Sequence, residues 1–594
     1  MSLEEEKLFD DLNGRFQARL RSHRTAYLKS QIRGSEVTFQ SSTATLEAKF
    51  DLEVLDKLHS PSFIGIERPT AENKKVYLIY EVVGVRAIHL QELGVEISMP
   101  KVLREEFLQA IENGWEEAKE TWIDIVATPT GYLAKIENGI VSFEKTELSP
   151  LTGKKAHLLS KEAVKSFVCI EGGTEIGSLI GLDVTVTSKI DSMVRYHTGV
   201  FGFTGTGKSN LTSILVRKAI ESIEDLKVVI FDVAGEYAVN LLDLLENGVI
   251  FTTERRIINK KDDFVRSQIV PESLEEAVGG SEKIKRILGL LHEQGKVRYL
   301  SLVETQLTEI QVKTVVDFLS SLAQSDKSSS LAARVALKEF TSFVSKYGFE
   351  EEDRLEDITL NPKVTEELRN ILNKLKNNLH GMSSEAKATE VMLNQLEKQE
   401  EKVEKEIENP EWLAKWVFSE EAPRLVILYL PTLVHARQVA ARFVNRLLDL
   451  KKEGVSDVNV LLVFDEAQEF VPDRARKEDF TEHSNIAIED LLRQGRKYRA
   501  GCWLSTQRVA HLNVNALQQL HTYFASTLPR YYDRMVIADA YSLDYEVLNR
   551  VAELDTGEWL FVSYKATKRK NVPVFIKTPN NEEFVLNYIR KKAL

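Results

Sequence analysis

The sequence predicts an α/β fold: a parallel-sheet core, a small β-rich domain ahead of it and a large helical insertion inside it. Three observations carry the prediction. Strand-like and helical runs alternate over about 186–270 and again over about 416–545, as they do where βα units build a parallel sheet. A glycine-rich octapeptide, Gly202-Phe203-Thr204-Gly205-Thr206-Gly207-Lys208-Ser209, stands between a strand-like run at 198–201 and a helical run at 211–220. A second apolar run, 460–464, ends in Asp465-Glu466. Lys208 and Asp465 lie 257 residues apart (465 − 208). A few βα units need only roughly 60–100 residues, so the mostly helical, strongly charged block 271–415 is expected to interrupt the core.

The elements follow in order. Residues 1–45 open acidic and continue in a pattern that reads as an amphipathic helical extension bearing Arg15, Arg19, Arg21, Arg24 and Lys29. It is either a solvated face or a contact for a partner or DNA. Over 46–185, short runs such as 76–83 and 122–126 read as strands. Asn138-Gly139, between runs at 133–136 and 140–143, is a hairpin signal, because both residues tolerate positive φ. A helix at about 101–121 interrupts the series, and a small barrel is expected. Within 271–415, Leu393, Leu396, Val403 and Ile407 fall on heptad-like spacing, with Glu400 breaking the seam. A helical hairpin packed on its own domain fits this better than a coiled coil. The tail, 546–594, holds a strand-like run at 559–562 and a helical end, Arg590-Lys591-Lys592.

Composition narrows the class. Of the 594 residues 43% are hydrophobic, enough to bury several cores and to exclude a disordered chain. The formal net charge of −12 argues against a protein that coats nucleic acid over its whole surface. It is compatible with a basic channel inside an acidic shell. Cys169 and Cys502 are too few and too far apart for a disulfide framework or a zinc site, and a reduced, cytoplasmic setting is expected. No apolar run approaches the roughly 18 residues of a membrane span, and the acidic N-terminus lacks the apolar stretch of a signal peptide.

The chemistry concentrates in a few motifs. The segment 202–209 fits G-x-x-x-x-G-K-[ST], the P-loop. Its glycines let backbone N–H groups converge on phosphate oxygens, and the following helix adds its positive dipole end. Gly202, Thr204, Gly205, Thr206, Gly207 and Asn210 are therefore expected around ATP. Lys208 is expected on the β- and γ-phosphates, and the Ser209 hydroxyl on Mg²⁺. An acid at the end of a central parallel strand emerges beside such a loop. Asp465 would hold Mg²⁺ and Glu466 would activate the attacking water, the Walker B arrangement of a RecA-like core. Gln507, ending the strand-like run 501–505, can sense the γ-phosphate or simply cap a strand. Arg493 and Arg496 lie at the end of the intervening helix. There they either answer the helix dipole or reach a neighbouring subunit's ATP as an arginine finger. Asp232 and Glu236, in Phe231-Asp232-Val233-Ala234-Gly235-Glu236-Tyr237, face the nucleotide or form an ordinary strand-to-helix turn. Arg474, Arg476 and Lys477 form a charged loop after the Walker B strand, a DNA-gripping element or a solvated turn.

With these residues in hand, the chain resembles the HerA family, the HerA–FtsK branch of hexameric P-loop DNA translocases. The likeness runs through 177–181, 195–202 and the P-loop, then Gly235-Glu236-Tyr237, Asp465-Glu466-Ala467-Gln468, the stretch 493–497 and Ser505-Thr506-Gln507. The resemblance implies an N-terminal HAS-like β-barrel, a RecA-like core with a helical insertion, and a C-terminal tail bracing a neighbouring subunit. It implies Gln507 as sensor and Arg493 or Arg496 as the trans finger. The implied activity is an ATP-driven, Mg²⁺-dependent DNA translocase or helicase, a homohexamer with double-stranded DNA in its pore. A separately encoded nuclease or effector, in repair or antiviral defence, is the implied partner. Val233 stands where the family usually has proline, and the first 45 residues and the large insertion are unlike the short archaeal repair members. An ATP-switched ring scaffold and a conjugation-type motor remain alternatives.

Overall fold

The computed structural model describes residues 5–32, 34–58, 62–72, 74–90, 100–117, 120–302, 311–323, 330–350, 353, 362–377, 389 and 407–592. The chain divides into two compact units, 1–300 with 413–594, and Ser301–Trp412. The first unit contains two sheets.

The first sheet is an antiparallel barrel of seven strands: β1 (Ala18–Ile32), β2 (Ser35–Lys49), β3 (Phe63–Pro69), β4 (Lys75–His89), β5 (Thr121–Glu137), β6 (Ile140–Lys145) and β7 (Lys155–Leu158). Their order is β2-β1-β7-β3-β4-β5-β6, and a further β2–β5 pairing closes the barrel. Inward positions alternate along the strands: Leu20, Leu46, Ile64, Ile66, Leu78, Ile123 and Ile125 are all buried together. Asn138 (φ 53°) and Gly139 (φ 74°) make the tight turn between β5 and β6. Residues 18–32 and 35–49 are strands, in contrast to the helical extension read from the sequence. Arg19, Arg21, Arg24 and Lys29 are exposed along β1, whose partner β2 is rich in Ser and Thr. Gly34, at φ 83°, supplies the turn that joins the two strands.

The second sheet has twelve strands. They are β8 (Thr174–Leu179), β9 (Thr185–Ser188), β10 (Thr198–Phe201), β11 (Lys227–Asp232), β12 (Val249–Thr252), β13 (Val297–Tyr299), β14 (Leu425–Tyr429), β15 (Val460–Phe464), β16 (Ala500–Thr506), β17 (Thr522–Ala525), β18 (Glu558–Ser563) and β19 (Val574–Lys577). The order is β13-β12-β14-β11-β15-β16-β10-β17-β18-β19-β8-β9. From β13 to β17 every pairing is parallel, and from β17 onward every pairing is antiparallel. β15 and β16 are buried along their whole length, which is why they read as unbroken apolar runs. β8 and β9 thus belong to the core sheet, and the barrel strands end at Leu158 rather than near 185.

The second unit starts later than the block 271–415, because the helices Glu272–Val278 and Glu282–Glu293 and the edge strand β13 belong to the core. Within it, helices Val312–Ala323, Ser330–Tyr347 and Pro362–Asn377 share a core of Val315, Leu319, Phe340, Phe343, Leu368 and Leu372. Leu393, Leu396, Glu400 and Val403 lie outside the described residues.

The tail packs on its own chain. β18 and β19 extend the core sheet, and Glu582–Lys591 is a helix whose Phe584 ring lies 4.9 Å from the Arg217 guanidinium. Arg217, buried in the helix Lys208–Ser222, donates to Asn581 (2.7 Å), to both Asp243 oxygens (2.5 and 2.6 Å) and to the Asn240 carbonyl (3.0 Å). Barrel and core are joined by Asp544, which accepts from the Ser41 hydroxyl (3.0 Å) and the Ser42 N–H (3.2 Å), and by Arg550, which donates to the Val82 carbonyl (3.1 Å). Among the described residues no helix is long and apolar enough to cross a membrane. Cys169 and Cys502 are buried and unpaired.

Candidate nucleotide site

The site sits at the carboxyl ends of the parallel strands, where an open α/β sheet receives ligands. β10, with β16 on one side and β17 on the other, ends at Phe201 and runs straight into the P-loop. Gly205 (φ 84°) and Gly207 (φ 96°) hold backbone that a side chain would strain. A Cβ on Gly202 would lie 2.5 Å from the Thr206 hydroxyl, so that position tolerates nothing larger. The Thr206 hydroxyl donates to the Phe203 carbonyl (2.9 Å) and fixes the loop. The helix Lys208–Ser222 then begins, presenting the unpaired N–H groups of its first turn. Lys208 is folded over the loop, its ammonium 3.4 Å from the Phe203 carbonyl.

The neighbouring strands bring acids to this loop. Asp465 follows β15 and is buried. Burial, together with Asp232, Glu236 and Glu466, pushes its carboxyl well above the usual range, while Lys208 opposes the shift. Ser209 donates its hydroxyl to Glu236. Glu466 adopts a left-handed backbone (φ 46°), a strained conformation that turns the chain immediately after Asp465.

A chain of side-chain amides connects the loop to the second acid. The Thr204 hydroxyl donates to Gln507 Oε1 (2.5 Å), and Gln507 Nε2 donates to Glu466 Oε1 (3.2 Å). Gln468 Nε2 donates to Glu466 Oε2 (2.9 Å), and Gln468 Oε1 accepts from Thr506 (2.5 Å). Glu466 is thereby oriented from two sides, which a water-activating carboxylate requires.

Two of the residues expected around the nucleotide make hydrogen bonds to the backbone. Asp232 accepts from the N–H groups of Ala234 (3.1 Å), Gly235 (2.7 Å) and Tyr237 (3.0 Å), so it shapes the turn that presents Glu236. Its complete burial nevertheless pushes its pKa up to about 6, against those N–H bonds. Asn210 donates to the Pro579 carbonyl (3.0 Å) and accepts from the Asn581 N–H (2.7 Å), facing the tail instead of the loop. Among the described residues no three His, Cys, Asp or Glu side chains could hold a metal ion by themselves.

Arg493 and Arg496 stand at the opposite edge of the sheet. Arg493 ends the helix Thr481–Gln494 and pairs with Asp490 at 2.7 Å. Arg496, on the short turn just before β16 begins, lies over the Tyr196 ring, 5.5 Å from its centre. Arg474, Arg476 and Lys477 are exposed on the segment after Glu466. Lys477 pairs loosely with Glu482, at 4.0 Å. The segment is pinned from behind by Arg437, which donates to the Glu469 carbonyl (2.7 Å) and carboxylate (2.9 Å) and meets Asp479 at 3.4 Å. Gln468 and Arg437 carried no role in the sequence. Gln468 was visible only as part of a motif, and Arg437 reads as the polar face of an amphipathic helix.

Residues 174–449 match the family profile described as "Helicase HerA, central domain", beginning at the first residue of β8. The DNA double-strand break repair helicase HerA of Saccharolobus solfataricus is 24% identical over 439 residues, 71% of this chain and 72% of that one. The protein of the same name from Pyrococcus furiosus is 23% identical over 441 residues, 69% and 70% of the two chains. That of Sulfurisphaera tokodaii is 35% identical over a shorter stretch of 101 residues, 17% and 20% of the two chains.

Proposed function

We propose that this chain, an ATP-hydrolysing enzyme that matches the HerA central-domain profile over residues 174–449, works as a homohexameric ring whose ATP cycle moves duplex DNA through its pore. A separately encoded nuclease or effector is its client. One observation carries the reading: the nucleotide site is electrostatically incomplete within one chain. Lys208 is the P-loop cation, and the motif-borne arginines stand at the far edge of the sheet. Phosphoryl transfer needs more positive charge on the transferring group than one lysine supplies, and a second copy would bring it.

In that cycle the P-loop N–H groups and Lys208 bind the phosphates. Glu466, aimed by Gln507 and Gln468, takes the proton of the attacking water. Thr204 and Gln507 connect the P-loop to Glu466, so occupancy of the loop and alignment of the base are one event. Mg²⁺ fits the donor set, because hydroxyl and carboxylate oxygens are hard ligands and Asp465 is crowded by like charges that a cation would relieve. Ser209 and Asp465 would hold it together with phosphate oxygens, and it would neutralise charge on the β- and γ-phosphates. Arg496 is the better trans finger, since Arg493 already has a carboxylate partner.

The test is native mass measurement combined with ATP turnover. Six copies with a nucleotide analogue, and turnover stimulated by duplex DNA at low salt, are expected. A six-membered ring that neither binds DNA nor responds to it would make the chain an ATP-switched scaffold instead.

A further inference from the structure

At the amino-terminal edge of the parallel strands, two cations share one aromatic ring. The Arg496 guanidinium and the Lys565 ammonium each lie 5.5 Å from the centre of the Tyr196 ring. His521 packs its edge against the same ring, with centroids 5.6 Å apart. Arg496 and Lys565 are both exposed, and among the described residues neither makes an ion pair. His521 is held below its usual pKa by burial and then by Lys565 and Arg496. His197, beneath, is kept neutral at about 3, chiefly by burial and then by His521 and Arg496. Both cations therefore lie near His521 as well as the Tyr196 ring, on a chain whose net charge is −12. Cation–ring attraction is worth about 0.5–1 kcal/mol at an exposed site. It holds each cation on Tyr196 but leaves its charge without a counter-ion, which a bound anion would supply.

The cluster is built on ordered backbone. The Tyr196 and His197 carbonyls accept from the N–H groups of His521 (3.2 Å) and Thr522 (3.3 Å), tying the ring's base to β17. His197 Nδ1 accepts from the Cys502 N–H (3.1 Å), tying it to β16. Lys565 is carried on a turn in which the Ser563 hydroxyl accepts from the N–H groups of Lys565 (3.2 Å) and Ala566 (2.8 Å). The Ala566 carbonyl in turn accepts from the Ser188 hydroxyl (2.7 Å). The backbone that carries Tyr196 and Lys565 is thus fixed to the core sheet, a support of the kind recognition of a phosphate group requires.

We propose that Tyr196, Arg496 and Lys565 form one phosphate-binding site that receives the triphosphate of the ATP held by the next copy in the ring, with Lys565 as a second trans cation beside Arg496. Tyr196 is the positioning residue that sets their separation. The proposal rests on the ring reading above and adds to it a residue and a platform outside every motif.

The experiment uses the full chain. Lys565→Ala is expected to lower DNA-independent kcat at least about tenfold, because an electrostatic contact to the transferring group is lost. Affinity for a non-hydrolysable ATP analogue should stay within about twofold, since the P-loop is intact. Lys565→Arg should recover most of the rate, which a merely folding-defective site would not allow. Mixing Lys565→Ala protein with Lys208→Ala protein should restore turnover. At mixed interfaces the Lys208→Ala copy lends its Lys565 to an intact P-loop. The parallel mixture of Arg496→Ala with Lys208→Ala separates the outcomes. Restoration there but not with Lys565→Ala overturns the Lys565 assignment and leaves the ring standing; restoration in neither overturns both. Loss of duplex DNA binding by Lys565→Ala, with DNA-independent turnover unchanged, would assign the anion to the DNA backbone and overturn the proposal.

Discussion

The two edges of one parallel sheet differ in charge and in finish. At the carboxyl edge, Ser209, Asp465, Glu236 and Glu466 crowd around a single lysine, and the side chains are linked through Thr204, Gln507 and Gln468. At the amino edge, Arg496, Lys565 and His521 lie against the Tyr196 ring, with His197 next in the chain, and burial lowers the pKa of both histidines. Under the proposed function, one edge would supply ligands to a cation and a phosphate, and the other would supply cations to an anion. A strand has a fixed length, so a chain cannot fold its own amino edge onto its own carboxyl edge. In the proposed ring the two halves meet between copies, which would explain in physical terms why such a core works as an assembly.

The comparison can be broken most sharply at the carboxyl edge. Lys208→Ala removes the cation that meets the phosphates and should abolish ATP binding or turnover; wild-type rates in a steady-state assay would remove the basis of the site. Glu466→Gln keeps the size of the side chain and one acceptor oxygen for the two amide donors, but loses the base. It should still bind ATP and hydrolyse it about 10²–10⁴-fold more slowly, and a loss under about threefold would show that another group activates the water.

The exposed loop beyond the carboxyl edge sharpens the comparison with a smaller effect. Replacing Arg474, Arg476 and Lys477 together by Ala should weaken DNA-stimulated turnover and flatten its salt dependence while basal turnover persists. Full stimulation with an unchanged salt slope would make the loop a solvated turn.

The smallest effect lies away from both edges, at the joint between barrel and core, and separates stability from catalysis. Glu81 is buried with Oε2 accepting no hydrogen bond among the described residues, and burial pushes its pKa up to about 8, against the pull of Arg550. The folded chain therefore holds a proton there that the unfolded chain releases near 4.5, so stability falls as pH rises from about 4.5 through 8. Glu81→Gln should flatten that decline and raise Tm at pH 9, by at most a few kcal/mol of unfolding free energy. An unchanged pH profile of Tm would show that Glu81 ionises freely.

What the sequence could reveal follows from how local each signal is. The P-loop announces itself because glycine, lysine and serine must occupy fixed places within eight residues. β15 and β16 are legible because a strand buried on both faces is an uninterrupted apolar run. β1 and β2 were not legible as strands. Their outward face carries arginines and lysine at irregular intervals, and their inward face is thinly apolar until Leu46, so no period of two stands out. The backbone bonds of Asn210 and Asp232 were hidden for a different reason. Each sits in a nucleotide motif, yet each meets a backbone partner that only the fold brings near, Pro579 and Asn581 for one and the turn at 234–237 for the other. Lys565 and Tyr196 are 369 residues apart (565 − 196) and belong to no shared pattern, so their pairing is a property of the sheet order alone.

The central claim is that a second copy completes the nucleotide site. Its most direct test mixes Arg493→Ala/Arg496→Ala protein, whose P-loop and Glu466 are intact, with Glu466→Gln protein, whose arginines are intact. Each alone should turn over ATP slowly, and the mixture should regain a fraction of wild-type turnover at interfaces where the second lends arginine to the first. A mixture no more active than the average of its parts, or a wild-type monomer that is fully active on its own, would contradict the account.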